Sequence, residues 1–225
     1  MTTPTARRLG AEAFGTYCLV LAGTGAIVID QISNGAITHV GIALTFGLVV
    51  LTMIYAVGDV SGAHINPAVT LGFLAARRIS APLAAMYMLA QAAGALLASL
   101  TLTALFPERH SLGETMPAGP PLQSFFLEAI LTMILMVVIL GVATGAKEKG
   151  IMAGVAVGGT IALEALFAGP ITGASMNPAR SLAPAVVNLN FQHLWLYLAG
   201  PPLGALVGVA IGAALQLSRP REPGS

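Results

Sequence analysis

Two short segments decide the fold of this chain: Ser61-Gly-Ala-His-Ile-Asn66-Pro67-Ala-Val-Thr-Leu71 and Thr172-Gly-Ala-Ser-Met-Asn177-Pro178-Ala-Arg180-Ser-Leu182. Aligned on their Asn-Pro pairs, they share a Gly-Ala pair, an Asn-Pro-Ala triplet and the final leucine. Asparagine favours the capping position of a helix and proline its first turn, so each segment predicts a helix start. The apolar tail after each proline is about ten residues, or roughly 15 Å of helix, which is too short to cross a bilayer. We therefore expect two half-spanning, re-entrant helices.

The composition is that of a membrane protein. Of the 225 residues, 56% are hydrophobic and 8% are charged, whereas a soluble domain carries about 25% charged residues. A formal net charge of +1 excludes a nucleic-acid binder that works by electrostatic attraction. The single cysteine, Cys18, excludes an internal disulfide, and no Cys/His cluster has the spacing of a metal site, so we expect no metal and no cofactor.

Six further segments are long and apolar enough to span a bilayer, which takes about 20 residues. Backbone groups in lipid must be paired within the segment, so we predict an all-α membrane protein with six transmembrane helices. The predicted spans are Leu9–Ile29, His39–Val57, Pro82–Phe106, Leu122–Thr144, Ile151–Ala168 and Leu194–Leu217.

The chain also contains an internal repeat. Glu12 in Ala11-Glu-Ala-Phe and Glu128 in Leu127-Glu-Ala-Ile stand at matching positions of spans one and four. We therefore predict a single domain, 1–225, made of a first repeat at 9–106 and a second at 122–217, joined by a loop rich in Pro and Gly. Three spans per repeat is an odd number, so the second copy must insert upside down. Such inverted repeats bring their broken helices together near the membrane midplane, where a permeation or binding site forms.

The basic residues predict the orientation. With cytoplasmic N- and C-termini, most of them fall in cytoplasmic segments, as the positive-inside rule requires. We expect a multi-pass protein of the cell membrane in this orientation. The residues are Arg7, Arg8, Arg77, Arg78, Lys147, Lys149, Arg219 and Arg221, while the opposite loops hold Arg109 and acidic or His residues such as Asp30, Glu108, His110, Glu114 and His193.

Two helix N-termini that meet at the midplane would each contribute about half a positive charge from the helix dipole. Cations meet a barrier there, whereas neutral dipolar molecules can pass. Each Asn can cap its helix through its side-chain oxygen and offer its amide N–H to the lumen. Irregular residues 62–65 and 173–176 would expose backbone carbonyls, which is tolerated at membrane depth only beside a water-filled cavity.

At these residues the sequence resembles the aquaporin (major intrinsic protein) family, and it does so over essentially the whole chain. The resemblance implies six spans with two half-helices, one pore per subunit, a homotetramer, and passage of water and small uncharged solutes. It assigns a central constriction to Asn66, Pro67, Ala68, Asn177, Pro178 and Ala179, and pore-lining carbonyls to Gly62, Ala63, His64, Gly173 and Ser175. It also implies that Glu12 and Glu128 are buried carboxylates that accept hydrogen bonds from the re-entrant loops.

The same resemblance implies an outer selectivity filter made of Phe46, Ala165, Ala174 and Arg180. A guanidinium at membrane depth is costly and usually functional, which independently favours Arg180. Strictly water-selective members have a histidine at position 165, so Ala165 predicts a wider ring that admits glycerol, urea or neutral metalloid acids such as boric or arsenous acid. Ser181 replaces the aspartate usual in glycerol facilitators, and the surrounding run is most similar to the nodulin-type subgroup.

Three alternatives to a broad-range channel remain at this point. A strictly water-selective channel is one, and a secondary transporter is another, because transporters also use inverted repeats with broken helices. The transporter is disfavoured because Glu12 and Glu128 lie at the repeat starts rather than beside the Asn-Pro pairs. A structural role within the same family is the third. An enzyme is not expected, since no nucleophile–base pair or phosphate-binding loop is present.

We expect Glu164 to pack against a loop or a neighbouring subunit, and Asp59 to be a solvated carboxylate near the cytoplasmic approach.

Overall fold

The computed structural model describes residues 3–109, 111–143 and 152–217. Within these ranges the chain forms eight helices and no strand, and six of the helices are long and apolar enough to cross a membrane. The prediction of an all-α membrane protein with six spans and two half-helices is therefore confirmed. The helices are α1 Thr5–Ile32, α2 Thr38–Ser61, α3 Pro67–Ala75, α4 Ala81–Leu105, α5 Pro121–Val142, α6 Ala153–Thr172, α7 Pro178–Val187 and α8 Leu194–Ala214.

The helices before the two half-helices end later than predicted. Helix α2 continues beyond Val57 to Ser61, and α6 continues beyond Ala168 to Thr172. Each then ends on a glycine in the left-handed region, Gly62 with φ +91° and Gly173 with φ +82°. A glycine there closes a helix without the strain that a Cβ would add. The predicted span ends Thr144 and Ile151 lie outside the described residues.

Helix α6 contains Pro170 in its last turn. Proline has no N–H, so the carbonyl of Leu166 loses its usual helical donor. His39 Nε2 lies 2.8 Å from this oxygen and takes the place of the donor. The helix can therefore continue through Pro170 and deliver Thr172 to the re-entrant loop.

The spans pack in matching pairs, α1 against α4 and α5 against α8. A Cβ on Gly94 would lie 2.0 Å from the carbonyl oxygen of Ala13, and a Cβ on Gly204 would lie 2.0 Å from that of Ala129. Small residues allow helix backbones to approach closely in membranes, where packing rather than the hydrophobic effect holds helices together. The same close approach therefore occurs once in each half of the chain.

Both half-helices, α3 and α7, pack between α4 and α8. Each thus contacts the last span of its own half of the chain and the last span of the other half. This arrangement brings the N-terminal ends of α3 and α7 together in the interior of the bundle.

Candidate channel and its constrictions

The first re-entrant loop is held by Glu12 of α1, which is fully buried. Its Oε1 accepts hydrogen bonds from Ser61 Oγ at 2.7 Å and from the backbone N–H of His64 at 2.9 Å. Its Oε2 accepts from the backbone N–H of Ile65 at 2.7 Å and from Gln91 Nε2 at 2.8 Å. A buried carboxylate is tolerated when its lone pairs are occupied in this way. Glu12 therefore satisfies the N–H groups of His64 and Ile65, and the backbone carbonyls of the loop remain available to other partners.

The second re-entrant loop is held by Glu128 of α5 with the same pattern. Its Oε1 accepts from Thr172 Oγ1 and from the N–H of Ser175, both at 2.8 Å, and its Oε2 accepts from the N–H of Met176 at 2.8 Å. Glu128 is also fully buried. The two loops are thus fixed by equivalent contacts from the first helix of each half.

Two tyrosines complete this frame, and the sequence reasoning did not assign them a role. Tyr87 donates to the carbonyl of Ser61 at 2.8 Å, and Tyr197 donates to the carbonyl of Thr172 at 2.6 Å. Both rings are fully buried. A signal was available, since each tyrosine follows its Asn-Pro pair by a similar number of residues, in the last span of its half.

Asn66 and Asn177 meet at the junction of the half-helices. Asn66 Oδ1 accepts from the N–H of Ala68 at 2.8 Å, and Asn177 Oδ1 accepts from that of Ala179 at 3.0 Å, so each caps its helix. Across the junction, Asn66 Nδ2 donates to the carbonyl of Met176 at 2.7 Å. Reciprocally, Asn177 Nδ2 donates to the carbonyl of Ile65 at 2.9 Å.

These cross-bonds change one expectation. The sequence predicts that the amide N–H groups face the lumen, whereas one N–H of each Asn is bonded to the opposite loop. An amide nitrogen carries two hydrogens, so each Asn keeps a second donor. Both residues line the central cavity, and the remaining donors are therefore available to a molecule inside it.

A narrow cavity of about 110 Å³ passes this junction. At one end it reaches Ala143, which also lines a vestibule beside Arg8 and Arg78. At the other end it reaches Phe46 and Arg180. Its wall is mostly apolar, with Leu19, Val50, Val69, Leu135, Ile139, Val157 and Ile161 between the polar groups. The cavity therefore lies alongside both half-helix N-termini.

Phe46, Ala174 and Arg180 lie together at the end of the cavity away from Ala143. Arg180 is 2% exposed, and its Nη1 donates to the carbonyl of Gly113 at 2.7 Å. The guanidinium carbon lies over the Phe46 ring, 5.0 Å from the ring centroid, which is cation–π distance. This end of the cavity thus combines a positive charge, an aromatic ring and a methyl group.

Six of the residues assigned from the resemblance do not line this cavity: Ala165, Gly173 and the Pro-Ala pairs that follow Asn66 and Asn177. Ala165 is 7% exposed and packs in the apolar core, while Ile161, one helical turn earlier, contributes to the wall. Gly173 faces Thr115, since a Cβ at Gly173 would lie 3.0 Å from Thr115 Cγ2. The other assigned loop residues, Gly62, Ala63, His64 and Ser175, do line the cavity, and Pro67, Ala68, Pro178 and Ala179 lie behind the capping Asn side chains.

Ser181 points away from the cavity into a chain of buried hydroxyl groups. Thr115 Oγ1 donates to Ser181 Oγ at 2.8 Å, and Ser181 Oγ lies 2.6 Å from Ser175 Oγ. Ser175 Oγ in turn donates to the carbonyl of Asn177 at 2.9 Å. Ser181 therefore connects the loop between α4 and α5 to the second re-entrant segment.

The remaining acidic residues have different surroundings. Glu164 is fully buried on α6, and neither of its carboxylate oxygens has a hydrogen-bond partner among the described residues. Asp59 lines the vestibule together with Arg8, His64 and Arg78. Among the described residues no group of three or more His, Cys, Asp or Glu side chains could hold a metal ion.

The sequence matches the Major intrinsic protein family over residues 1–211. The chain belongs to the major intrinsic protein family. It is 50% identical over 208 residues to Aquaporin NIP1-1 of Oryza sativa subsp. japonica, covering 92% of this chain and 73% of the relative. It is 44% identical over 209 residues to Nodulin-26 of Glycine max, covering 92% of this chain and 77% of the relative. Among solved structures, the aquaglyceroporin from Plasmodium falciparum has a TM-score of 0.80 and 25% identity, covering 92% of this chain and 95% of that one.

Members of the major intrinsic protein family are channels rather than enzymes, and they carry water and small solutes through membranes. The chain is accordingly a multi-pass membrane protein of the channel class. The resemblance to the nodulin-type subgroup is confirmed by the relatives.

Proposed function

We propose that this chain is a passive channel for water and small uncharged solutes, including glycerol, urea and neutral metalloid acids. The observation that carries this proposal is the cavity of about 110 Å³ that passes Asn66 and Asn177 and ends at Arg180. Its apolar wall offers few polar contacts, so a neutral molecule can move from one polar station to the next without being held.

Ion exclusion follows from the charges along this route. Helices α3 and α7 both begin at the Asn junction, and each contributes about half a positive charge there. Arg180 adds a guanidinium at the outer constriction. Cations, including hydronium, would lose hydration and meet positive potential at two successive positions, whereas water and neutral solutes would not.

The solute range depends on the outer constriction, to which we assign Phe46, Ala165, Ala174 and Arg180. Alanine at both 165 and 174 leaves this end with no large side chain besides Phe46 and Arg180, and Ala174 contributes only a methyl group to the cavity wall. The names of the relatives include an aquaglyceroporin, which supports solutes larger than water.

One observation favours the narrower, strictly water-selective function. The Arg180 guanidinium lies 5.0 Å from the centre of the Phe46 ring, so the two largest side chains at the outer end are in contact. A ring closed by this contact would admit water and hinder glycerol.

A single liposome preparation distinguishes these functions. Stopped-flow light scattering would measure permeability to water, glycerol, urea and arsenous acid, with protein-free liposomes as the control. We expect all four rates to exceed the control. Increased water permeability alone would identify a water-selective channel, no increase at all would favour a structural role, and solute flux that depended on a proton or sodium gradient would indicate a secondary transporter.

We also propose a homotetramer in the cell membrane, with both termini cytoplasmic and repeats at 9–106 and 122–217. Arg8 and Arg78 line the same vestibule, which supports a cytoplasmic mouth on that side. Lys147, Lys149, Arg219, Arg221 and His110, which the orientation also uses, lie outside the described residues. Protease protection of tagged termini in sealed vesicles would test the orientation, and sedimentation in detergent would test the oligomeric state.

A further inference from the structure

The ring of Phe46 packs into a space beside α1 that exists only because residue 23 is glycine. A Cβ built on Gly23 of α1 would lie 2.1 Å from Phe46 Cε1 and 2.5 Å from both Cδ1 and Cζ. Carbon atoms in contact are normally about 3.5 to 4.0 Å apart. The edge of the ring therefore fills the space that any other side chain at position 23 would take.

Neither of the two groups that border the Phe46 ring, helix α1 and Arg180, can easily move away from it. On its far side α1 packs against α4, where a Cβ on Gly25 would lie 3.3 Å from Leu102 Cδ2. Arg180 lies over the face of the same ring, 5.0 Å from the ring centroid. Close packing of this kind transmits a displacement rather than absorbing it.

The same stretch of α1 supports Arg180 as well. The guanidinium donates to the carbonyl of Gly113, and Gly113 lies against α1. A Cβ on Gly113 would lie 3.1 Å from Ile27 Cδ1 and 3.2 Å from Thr24 Cβ. One segment of a helix, residues 23–27, thus forms the backing for both large side chains of the outer constriction.

We propose that Gly23 is a specificity-determining positioning residue: by letting Phe46 lie back against α1, it sets the width of the outer constriction. The proposal rests on the proposed function, in which Phe46 and Arg180 form that constriction. A larger residue at position 23 pushes the ring into the cavity that it lines, and so excludes glycerol-sized solutes before it excludes water.

Gly23→Ala is the test variant, and Gly10→Ala is its matched control. Both positions lie inside α1, but Gly10 is exposed, and a Cβ there would meet nothing within 4 Å. In liposomes we expect G23A to lose glycerol permeability several-fold while keeping most of its water permeability. G10A should retain the wild-type ratio of glycerol to water permeability.

Combination with Phe46→Leu separates a packing effect from general damage. The shorter side chain removes the collision, so G23A/F46L should have the same glycerol-to-water ratio as F46L alone. If G23A does not fold by itself, recovery of a folded channel in G23A/F46L supports the contact, and failure of F46L to restore folding overturns it.

The outcomes also separate this inference from the proposed function. If F46L changes the ratio and G23A does not, the role of Gly23 is wrong and the filter assignment stands. If F46L leaves the ratio unchanged, Phe46 is not part of the filter, and the proposed filter and the role of Gly23 are both wrong. If the wild type conducts water but no glycerol, the solute range is wrong, and the Gly23 proposal is then decided by whether the water permeability of G23A falls below that of G10A.

Discussion

Glu12, Glu128 and Glu164 are three fully buried carboxylates with opposite relations to their surroundings. Glu12 and Glu128 each accept hydrogen bonds from a re-entrant loop, whereas the oxygens of Glu164 have no partner among the described residues. A buried polar group without a partner costs about 1–3 kcal/mol relative to one that is satisfied. The first two therefore stabilise the loops, and the third destabilises the bundle.

Replacing Glu164 by methionine, an unbranched side chain of similar length, should stabilise the protein. The change removes a buried carboxyl group that has no hydrogen-bond partner among the described residues. We expect a gain of about 1–3 kcal/mol, measured as a rise in the temperature of thermal unfolding in detergent. The matched variant Glu128→Met should unfold at a lower temperature than wild type, because it removes the acceptors for the N–H groups of Ser175 and Met176. A fall in unfolding temperature for E164M would mean that Glu164 has a partner that this account lacks.

Ala165 is the second residue whose replacement is informative. If position 165 belongs to the proposed filter, Ala165→His narrows the constriction with a large polar side chain, so glycerol permeability should fall while water permeability is largely kept. Light scattering in liposomes measures both. Ala165→Ser, which adds polarity with little volume, should keep the wild-type ratio. Equal losses of water and glycerol permeability in A165H would remove position 165 from the filter, in keeping with its packing in the core.

At the scale of elements, much of the candidate site could be predicted from the sequence because its motifs occur twice, once in each repeat. Asn66 and Asn177 cap helices, and Glu12 and Glu128 begin the two halves, so local rules and repetition together located them. Phe46 has no local signal and entered only through the family resemblance. The support of Arg180 by the Gly113 carbonyl joins residues 67 positions apart, and no periodicity predicts such a contact.

The end of α6 also shows a feature that the local sequence does not predict. The hydropathy of the segment 169–172 falls, so the sequence predicted a helix end at Ala168, but the helix continues to Thr172. Its continuation depends on a donor from another helix, His39, at the carbonyl that Pro170 leaves free. Contacts of this kind belong to the tertiary structure, and the sequence of α6 alone does not contain them.

The junction of α3 and α7 makes a prediction about charge. Asn66→Asp keeps an oxygen that can cap α3, but it loses the N–H that donates to the Met176 carbonyl and places a negative charge between two positive helix ends. We expect N66D to admit cations, measured as a proton or potassium leak in dye-loaded liposomes. Asn66→Ser, which keeps a capping oxygen without charge, should leave the membrane tight to ions. If N66D were as tight as N66S, the helix dipoles at this junction would not be the main barrier to cations.

At the scale of the whole molecule, the two halves are built to the same plan and interlock. Each half-helix lies between the last spans of both halves. The asparagine side chain of each re-entrant segment donates a hydrogen bond to a backbone carbonyl of the other segment. Neither half can therefore complete its part of the cavity alone. The two halves differ at one position of the paired motifs, since Arg180 in the second half stands where the first has Val69, and only the second motif therefore carries a charge there.

The shared plan predicts that equivalent substitutions in the two halves have equivalent costs. Gly94→Ala and Gly204→Ala each add a methyl group that would lie 2.0 Å from a backbone oxygen, of Ala13 and Ala129 respectively. Overpacking of this kind costs about 1–3 kcal/mol, so both variants should lower the unfolding temperature in detergent, and by similar amounts. Gly159→Ala is the control, because Gly159 is exposed on α6 and a Cβ there would meet nothing within 4 Å. Alanine favours a helix over glycine by about 0.5–1 kcal/mol, so G159A should be neutral or slightly stabilising. If G94A were strongly destabilising and G204A were not, the α1–α4 and α5–α8 contacts would contribute unequally to stability. The two halves would then not be energetically equivalent despite their matching contacts.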